Sequence, residues 1–473
     1  MEAVLAALVK NEGRGEKGMR SILGEPIPEQ EKLFSGDDLR RLIIPLVIDQ
    51  ILVRTVGMAD TMMISSVGEA AISGVSLVDM INMLINAVFA AIATGGAVIA
   101  SQYLGHRERD KACGASSQLM LVTAATALGI TVLTLGLRRG MLSLLFGSIE
   151  PDVMQAALTY LTISALSFPF LAIFNSCAAL FRAMNDSRTP TLVSLGMNVM
   201  NLIGNAILIF GFQMGVAGAA LSTMLSRMAG ALVMLVLTCD RRRVLFITPR
   251  QIVQPRARLI GQILYIGIPS GIENGIFELG RIVVVSMIST FGTVQIAANA
   301  VANNLDGLGV LAGAAMNLAI LTVVGRCVGA HDNRQVKYFT RKLLAIEYGM
   351  MAVVNVALLA CLPLILNLYT LSAPSRALAT QLIWIHNGFA MLLWPLALSL
   401  PNALRAANDV KFTMYTSIAS MIGFRIVLSY IVGVKMGYGA LGVWFAMLVD
   451  WVFRAVIYVW RFEQGKWKKM ARI

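Results

Sequence analysis

The sequence predicts an all-α polytopic membrane protein, twelve transmembrane helices arranged as two pseudo-symmetric six-helix bundles. Composition, the spacing of apolar runs and an internal repeat carry that expectation. Hydrophobic residues make up 57% of the 473 and charged residues 14%, and the mean hydropathy is +0.73. Soluble domains carry about a quarter charged residues. Apolar runs of about 20 residues suffice to cross a bilayer as helices. Twelve fall at 42–66, 75–103, 116–136, 155–180, 190–210, 216–238, 259–290, 295–325, 341–369, 379–403, 413–434 and 437–460. Alternation of period two, the mark of a membrane β-barrel, is absent, which leaves helices to satisfy the backbone inside lipid.

The net charge of +13 is a matter of topology. With the amino terminus inside, 30 Lys and Arg fall on the cytoplasmic arm, loops and tail, and the opposite loops hold four: Arg138, Arg139, Arg376 and Lys435. That bias places both termini in the cytoplasm and predicts no nucleic-acid partner. Residues 1–37 read as a cytosolic arm whose start has the composition of an amphipathic helix; a Glu precedes "AVLAALV" where a signal peptide would be basic. The five cysteines stand singly, without paired or metal-type spacing. No HExxH, nucleophile motif or metal cluster accompanies the three histidines, so no enzyme and no cofactor are expected.

Shifting the chain by 224 residues lays "IPLVIDQ" at 44–50 on "IPSGIEN" at 268–274, "MISSVG" at 63–68 on "MISTFG" at 287–292, and Gly218 on Gly442. Eight of the 29 positions from 44 to 72 are identical. At shift 223, "RAMND" at 182–186 matches "RAAND" at 405–409. Six spans per copy is even, so the copies are parallel repeats, an architecture of secondary transporters. The expected division is an arm 1–37, an N-lobe 38–238, a cytoplasmic linker 239–258 and a C-lobe 259–473. Asn-Asp is a helix stop, since both side chains bond nearby backbone.

From about 38 to 465 the chain resembles the multidrug and toxic compound extrusion (MATE) transporters of bacterial type. The likeness rests on "IPLVIDQILVRTVGMADTMMISSVGEAAISGVSL", "SQYLGHRERDKA", "MGVAGAALSTMLS", "WPLALSLPNALRAANDVKFTM" and "VDWVFRAVIYVWRFEQGKW". It implies two bundles facing each other across a cleft, and a cation gradient driving export of organic, often cationic, compounds. It further implies a monomer in the bacterial cytoplasmic membrane, with Na⁺ or H⁺ as coupling ion. An exporter dedicated to one metabolite or natural product is the alternative, and a channel is a further one.

Ionisable residues inside spans are functional candidates by default. Asp60 lies 15 residues after Pro45, where the family keeps its first-span carboxylate. The resemblance assigns it Asn201, Asn205 and Thr223 as cation-coupling partners. Asn201 and Asn205 are four apart and share a helix face, and one carboxylate with two amides and a hydroxyl suits a hard monovalent cation such as Na⁺. Some relatives carry Asp at the position of Asn205, so this chain has one negative charge fewer there. Asp49, Glu273, Glu278, Arg54 and Asp306 form a second tier for coupling or substrate. The family carboxylate of span 7 falls on Phe277, with Glu278 about 100° further round. The repeat pairs Glu278 with Arg54, which suggests a bridge between lobes; Arg281, at i+3, is the local alternative. Asp49 shares the face of Asp60, ~16 Å away along the axis. Asp450 with Arg454 reads as a structural i,i+4 pair, and His386 as a buried histidine bonded to a neighbour.

Overall fold

The computed structural model describes residues 27–146, 150–367, 369 and 371–470; the first part of the arm, with its proposed amphipathic helix, lies outside them. Among the described residues every regular element is helical. The spans are α1 Gly36–Ser65, α2 Glu69–Gly105, α3 Arg109–Phe146, α4 Pro151–Ala183, α5 Arg188–Asn205, α6 Gly215–Thr238, α7 Ala257–Ser289, α8 Thr293–Gly309, α9 Leu311–Gly329, α10 Asn333–Leu366, α11 Ala373–Trp394, α12 Leu400–Ala406, α13 Val410–Ser420 and α14 Gly439–Gln464. Wide-turn π segments prolong α5 (Ala206–Gly211), join α11 to α12 (Pro395–Ser399) and prolong α13 (Met421–Leu428, Tyr430–Lys435). Twelve membrane crossings result, α8 with α9 and α11 with α12 counting as one each.

The repeat is written in the backbone. Asn185 and Asn408 both adopt left-handed φ, 67° and 66°, as do Arg107 and His331, 62° and 56°. An Asn there ends a helix at little steric cost, so the Arg-Ala-x-Asn-Asp motif is a helix stop in both copies. Each following Asp has a cation: Asp186 pairs with Arg243 at 3.5 Å, and Asp409 with Arg461 at 2.7 Å. The π segments at 206–211 and 430–435 also correspond. A Cβ on Gly218 would stand 3.0 Å from the Leu208 carbonyl, and one on Gly442 2.9 Å from that of Val432. The glycines let the sixth span of each copy lie against the widened turn of the fifth.

The chain separates into two compact units, Ile44–Asn274 and the residues up to Ile43 together with those from Gly275. These limits differ from the lobes expected at 38–238 and 259–473. In the first unit α2 and α4 form the centre, with Val78, Ile81, Phe89, Leu161 and Phe168 in one apolar cluster. The first half of α7 belongs here because glycines bring its backbone onto α2. A Cβ on Gly95 would sit 2.5 Å from the Ile263 carbonyl oxygen and 3.0 Å from the Gly267 nitrogen, and the Tyr103 hydroxyl donates to Gln262 at 3.1 Å. Gly95→Ala is expected to cost about 1–3 kcal/mol through overpacking against rigid backbone. Thermal unfolding in detergent checks this beside Gly129→Ala, whose Cβ would meet nothing within 4 Å; equal midpoints would refute it.

The segment 239–258, expected to be the cytoplasmic linker, packs within the first unit. Leu245 and Ile247 are buried. Arg109 donates to the carbonyls of Val244 (2.9 Å) and Arg243 (2.7 Å). Gln118 holds the carbonyls of Gln251 and Gln254 at 2.7 and 3.0 Å and accepts from the Arg256 nitrogen at 2.9 Å. These two side chains, exposed Arg109 and buried Gln118, give an irregular segment the partners its backbone requires.

The second unit packs α8, α10, α11 and α14 around Val301, Leu305, Leu358, Leu362, Leu382 and Trp444. The end of the arm fastens to α10. Leu33 nitrogen donates to Gln335 Oε1 (2.8 Å), Gln335 Nε2 to the Glu31 carbonyl (2.9 Å), and Phe34 meets Phe339 edge-on. The single span expected at 295–325 is broken at Val310. Fully buried Asn355 donates to the Gly309 carbonyl at 3.0 Å and accepts from Asn387 at 2.8 Å; a side chain inserted at the helix ladder is a recognised cause of such a break.

Candidate coupling site in the first unit

Asp60 lies in the last turns of α1, half-buried. Asn201 and Asn205 stand one turn apart at the end of α5, just before its π segment; both are buried, Asn205 to 1% exposure. Asn205 Nδ2 donates to Asp60 Oδ1 at 2.8 Å. The Asn201 amide has two workable positions. With its nitrogen toward Asp60, at 2.8 and 3.2 Å, its oxygen accepts from the Thr223 hydroxyl and nitrogen at 3.0 and 3.3 Å. Turned over, its nitrogen donates to Thr223 Oγ1 at 3.0 Å and its oxygen accepts from Asn205 Nδ2 at 3.4 Å. In that position the amide oxygen faces the carboxylate. Asn205 Oδ1 is buried and has no hydrogen-bond donor. The four residues that the resemblance put together thus form one chain of contacts, Asp60 to Asn205 and Asn201, and Asn201 to Thr223.

Three further groups join them. Asp79 on α2 accepts from Asn82 at 3.3 Å and from the hydroxyl of Tyr160 on α4. Arg227 on α6 donates to the buried Ser167 hydroxyl at 2.8 Å and lies within electrostatic reach of both carboxylates. Counted in their ionised forms, the two acids and the guanidinium carry one net negative charge. Asp79 and Arg227 were visible as intramembrane charges; nothing in the sequence linked Tyr160 or Ser167 to them.

The second-tier residues disperse. Asp49 bonds Ser194 and faces Arg182 of the helix-stop motif, so it knits α1 to α5 and α4. Glu273 is buried in the first-unit part of α7, and Arg54 is exposed on α1. In the second unit Glu278 takes its local partner, Arg281, at 3.7 Å. Asp306 Oδ1 stands 3.0 Å from Nδ1 of His386, whose ring lies between Trp444 and Trp451 at 4.7 and 4.6 Å. Asp450, Arg454, Arg425 and Ser420 form a separate buried network. Glu347, overlooked in the sequence, is fully buried and accepts from Ser399 at 2.6 Å.

Twelve crossings, a parallel repeat and a polar, net-negative centre buried within one copy define a secondary-transporter-like membrane protein. The MatE family model matches residues 45–207 and 269–431, two segments offset by the repeat length at both ends, and the chain belongs to the MATE family of membrane transporters. It is 27% identical over 455 residues to "Uncharacterized transporter YisQ" of Bacillus subtilis, covering 94% of this chain and 97% of that one. It is 25% identical over 458 residues to "Probable multidrug resistance protein NorM" of Thermotoga maritima, covering 95% and 97%. Among solved structures, a multidrug resistance MATE family transporter in an outward-facing conformation superposes with a TM-score of 0.83 at 20% identity, over 97% and 100% of the two chains. A MOP superfamily transporter from Pyrococcus furiosus gives 0.82 at 18%, over 98% and 100%. At such identities these likenesses speak for the fold alone.

Proposed function

We propose that this transporter is an antiporter, exporting organic cationic or amphipathic compounds in exchange for Na⁺ or H⁺ by alternating access. The observation that carries the coupling reading is the donorless, buried oxygen of Asn205, whose amide nitrogen donates to Asp60, in a centre with a formal surplus of one negative charge. A buried carbonyl oxygen without a donor is costly, and a hard cation held by oxygens relieves it. A proton on a carboxyl group removes the same surplus charge. Asp60, Asn201, Asn205 and Thr223 would hold Na⁺. Exchange follows if ion and substrate favour different conformations, since a ligand shifts a population only by its differential affinity. Export is supported by the names of the relatives. The 30-to-4 basic asymmetry supports cytoplasmic termini in a bacterial inner membrane, and we take the working unit to be a monomer.

Ethidium movement in proteoliposomes tests this, with a Na⁺ gradient and then a pH gradient imposed. Concentration of the dye against its own gradient under at least one of them is expected. Downhill movement alone under both would refute antiport.

A further inference from the structure

We propose that Glu347 is a proton-binding site of the second unit, one that does not depend on the coupling reading. It carries a proton while the wide turn Pro395–Ser399 stands as it does, and releases it when that turn rearranges. Glu347 projects from near the middle of α10 and is fully buried. Its Oε1 accepts from the Ser399 hydroxyl at 2.6 Å, and its Oε2 is buried without a partner. A second unpartnered group stands close by, the buried indole nitrogen of Trp394. Both border one spot on α9: a Cβ on Gly313 would strike Trp394 Nε1 and lie 3.2 Å from Glu347 Oε1. The glycine keeps acid and indole open to each other. Trp394 is the last residue of α11 and Ser399 the last of the π segment, so the two groups beside the carboxyl bracket the wide turn. Tyr348, next on α10, donates to the Leu392 carbonyl just before it, at 3.0 Å. Pro395 has no N–H to give the helix ladder, and wide turns of this kind are frequent at functional sites.

The surroundings decide the ligand. On α10 itself Lys337 and Arg341 reach Glu463 at 3.7 and 2.8 Å, and Lys342 lies 5.8 Å from the Tyr338 ring. On the neighbouring helices Asp306 faces His386 at 3.0 Å, Arg326 lies over the Phe34 ring, Arg376 donates to Asn367 and Arg405 to Asn402. The charges of α14 are closed on one another, Asp450 with Arg454. Among the described residues the carboxyl of Glu347 therefore meets a hydroxyl and no cation. An ionised carboxylate sealed from water on those terms is far costlier than a neutral acid. The indole can only donate, so the spot offers no cage of oxygens for a metal ion, and the ligand that fits is a proton. On release the O–H bond of the acid breaks, water takes the proton, and no other bond changes. The carboxylate then calls for donors: Ser399 keeps one place and the Trp394 N–H supplies the other across Gly313. Trp394 immediately precedes Pro395, so drawing its indole to the carboxylate moves the turn.

Infrared spectroscopy of the purified full-length protein in detergent, in H₂O and in D₂O, reads the carbonyl stretch of a protonated carboxylic acid directly. At neutral pH the wild type should show an isotope-sensitive acid band that Glu347→Gln removes and Asp60→Asn leaves in place. Raising the pH should remove that band and change the tryptophan emission together, and Trp394→Phe should lose the change in emission. Trp394→Phe, which withdraws a donor from the ionised form, should also bind the proton about tenfold more tightly, because a charged acceptor gains most from a donor. A spectrum with no acid band that Glu347→Gln removes overturns the proposal, since the residue is then ionised. A band that Glu347→Gln removes but that pH never alters while the protein stays folded overturns it too, and makes Glu347 a fixed core acid. Should Glu347→Gln fail to fold, Trp394→Phe makes the assignment: the band whose titration it moves belongs to Glu347, and the absence of any band so moved overturns the proposal.

Discussion

Asp60→Asn is expected to abolish uphill transport while leaving a folded protein. Asparagine keeps the size of the side chain and an oxygen that can still accept from Asn205 Nδ2, now 2.8 Å from the carboxylate. The packing of α1 on α5 should therefore survive. The charge does not: Asp79 and Arg227 then balance, and an ion gains nothing by entering. Coupling free energies between linked sites run to about 1–3 kcal/mol, or 5–150-fold in affinity, and loss of that term removes the whole link between ion and dye. In proteoliposomes the variant should move ethidium only until it is evenly distributed, under either gradient, with a thermal midpoint close to that of wild type. Dye accumulation matching wild type would make Asp60 a scaffold residue.

The two halves of the architecture were legible to different degrees. Hydropathy alone finds most spans. It is weakest for α7, whose Glu273, Asn274, Glu278 and Arg281 dilute the apolar signal and which is absent from the eleven helices that length and apolarity mark as crossing. The repeat supplies it, because Pro269 falls on Pro45 and the "MIS" turn recurs. The break at Val310 had no such signal. It is imposed by Asn355, 45 positions on, which reaches the Gly309 carbonyl only after folding and is itself held by Asn387, 77 positions on. The π segments are equally silent, as one extra residue in a turn barely alters an apolar run.

At the site, legibility followed sequence proximity. Asn201 and Asn205 share a face by spacing alone, and the family likeness added Asp60 and Thr223. Asp79, Tyr160 and Arg227 come from three helices more than sixty residues apart from one another, so their meeting is a tertiary fact. The same holds for 239–258, read from the sequence as the cytoplasmic linker. Arg109 and Gln118, on α3, turn it into ordered structure. Asp49, placed by spacing on the face of Asp60, bonds Ser194 and faces Arg182, the first residue of the helix-stop motif, partners that spacing does not reveal.

Asp450→Ala should be among the most damaging single substitutions for stability. Asp450 is fully buried on α14, and its carboxylate is the acceptor around which the second unit's charges are arranged. Arg454 Nε lies at 2.9 Å, Ser420 Oγ donates to the same oxygen, and Arg425 Nη1 lies at 3.9 Å from the other. Arg454 and Arg425 are 2% and 7% exposed, and each faces the ring of Phe277, at 5.9 and 5.1 Å. Arg454 also donates to the Ser417 carbonyl at 3.2 Å. Removing the acid takes away the carboxylate that Arg454 and Arg425 share, and breaking a buried pair in this way costs about 3–5 kcal/mol. Thermal unfolding in detergent, followed by tryptophan fluorescence with Trp451 adjacent in sequence, should show a large drop in midpoint and a lower yield of folded protein. Asp450→Leu with Arg454→Met should recover part of the loss, because the guanidinium nearest the acid goes with it while Arg425 remains. If Asp450→Ala melts like wild type, the two arginines are held by their aromatic and carbonyl neighbours, and the carboxylate is dispensable to the fold.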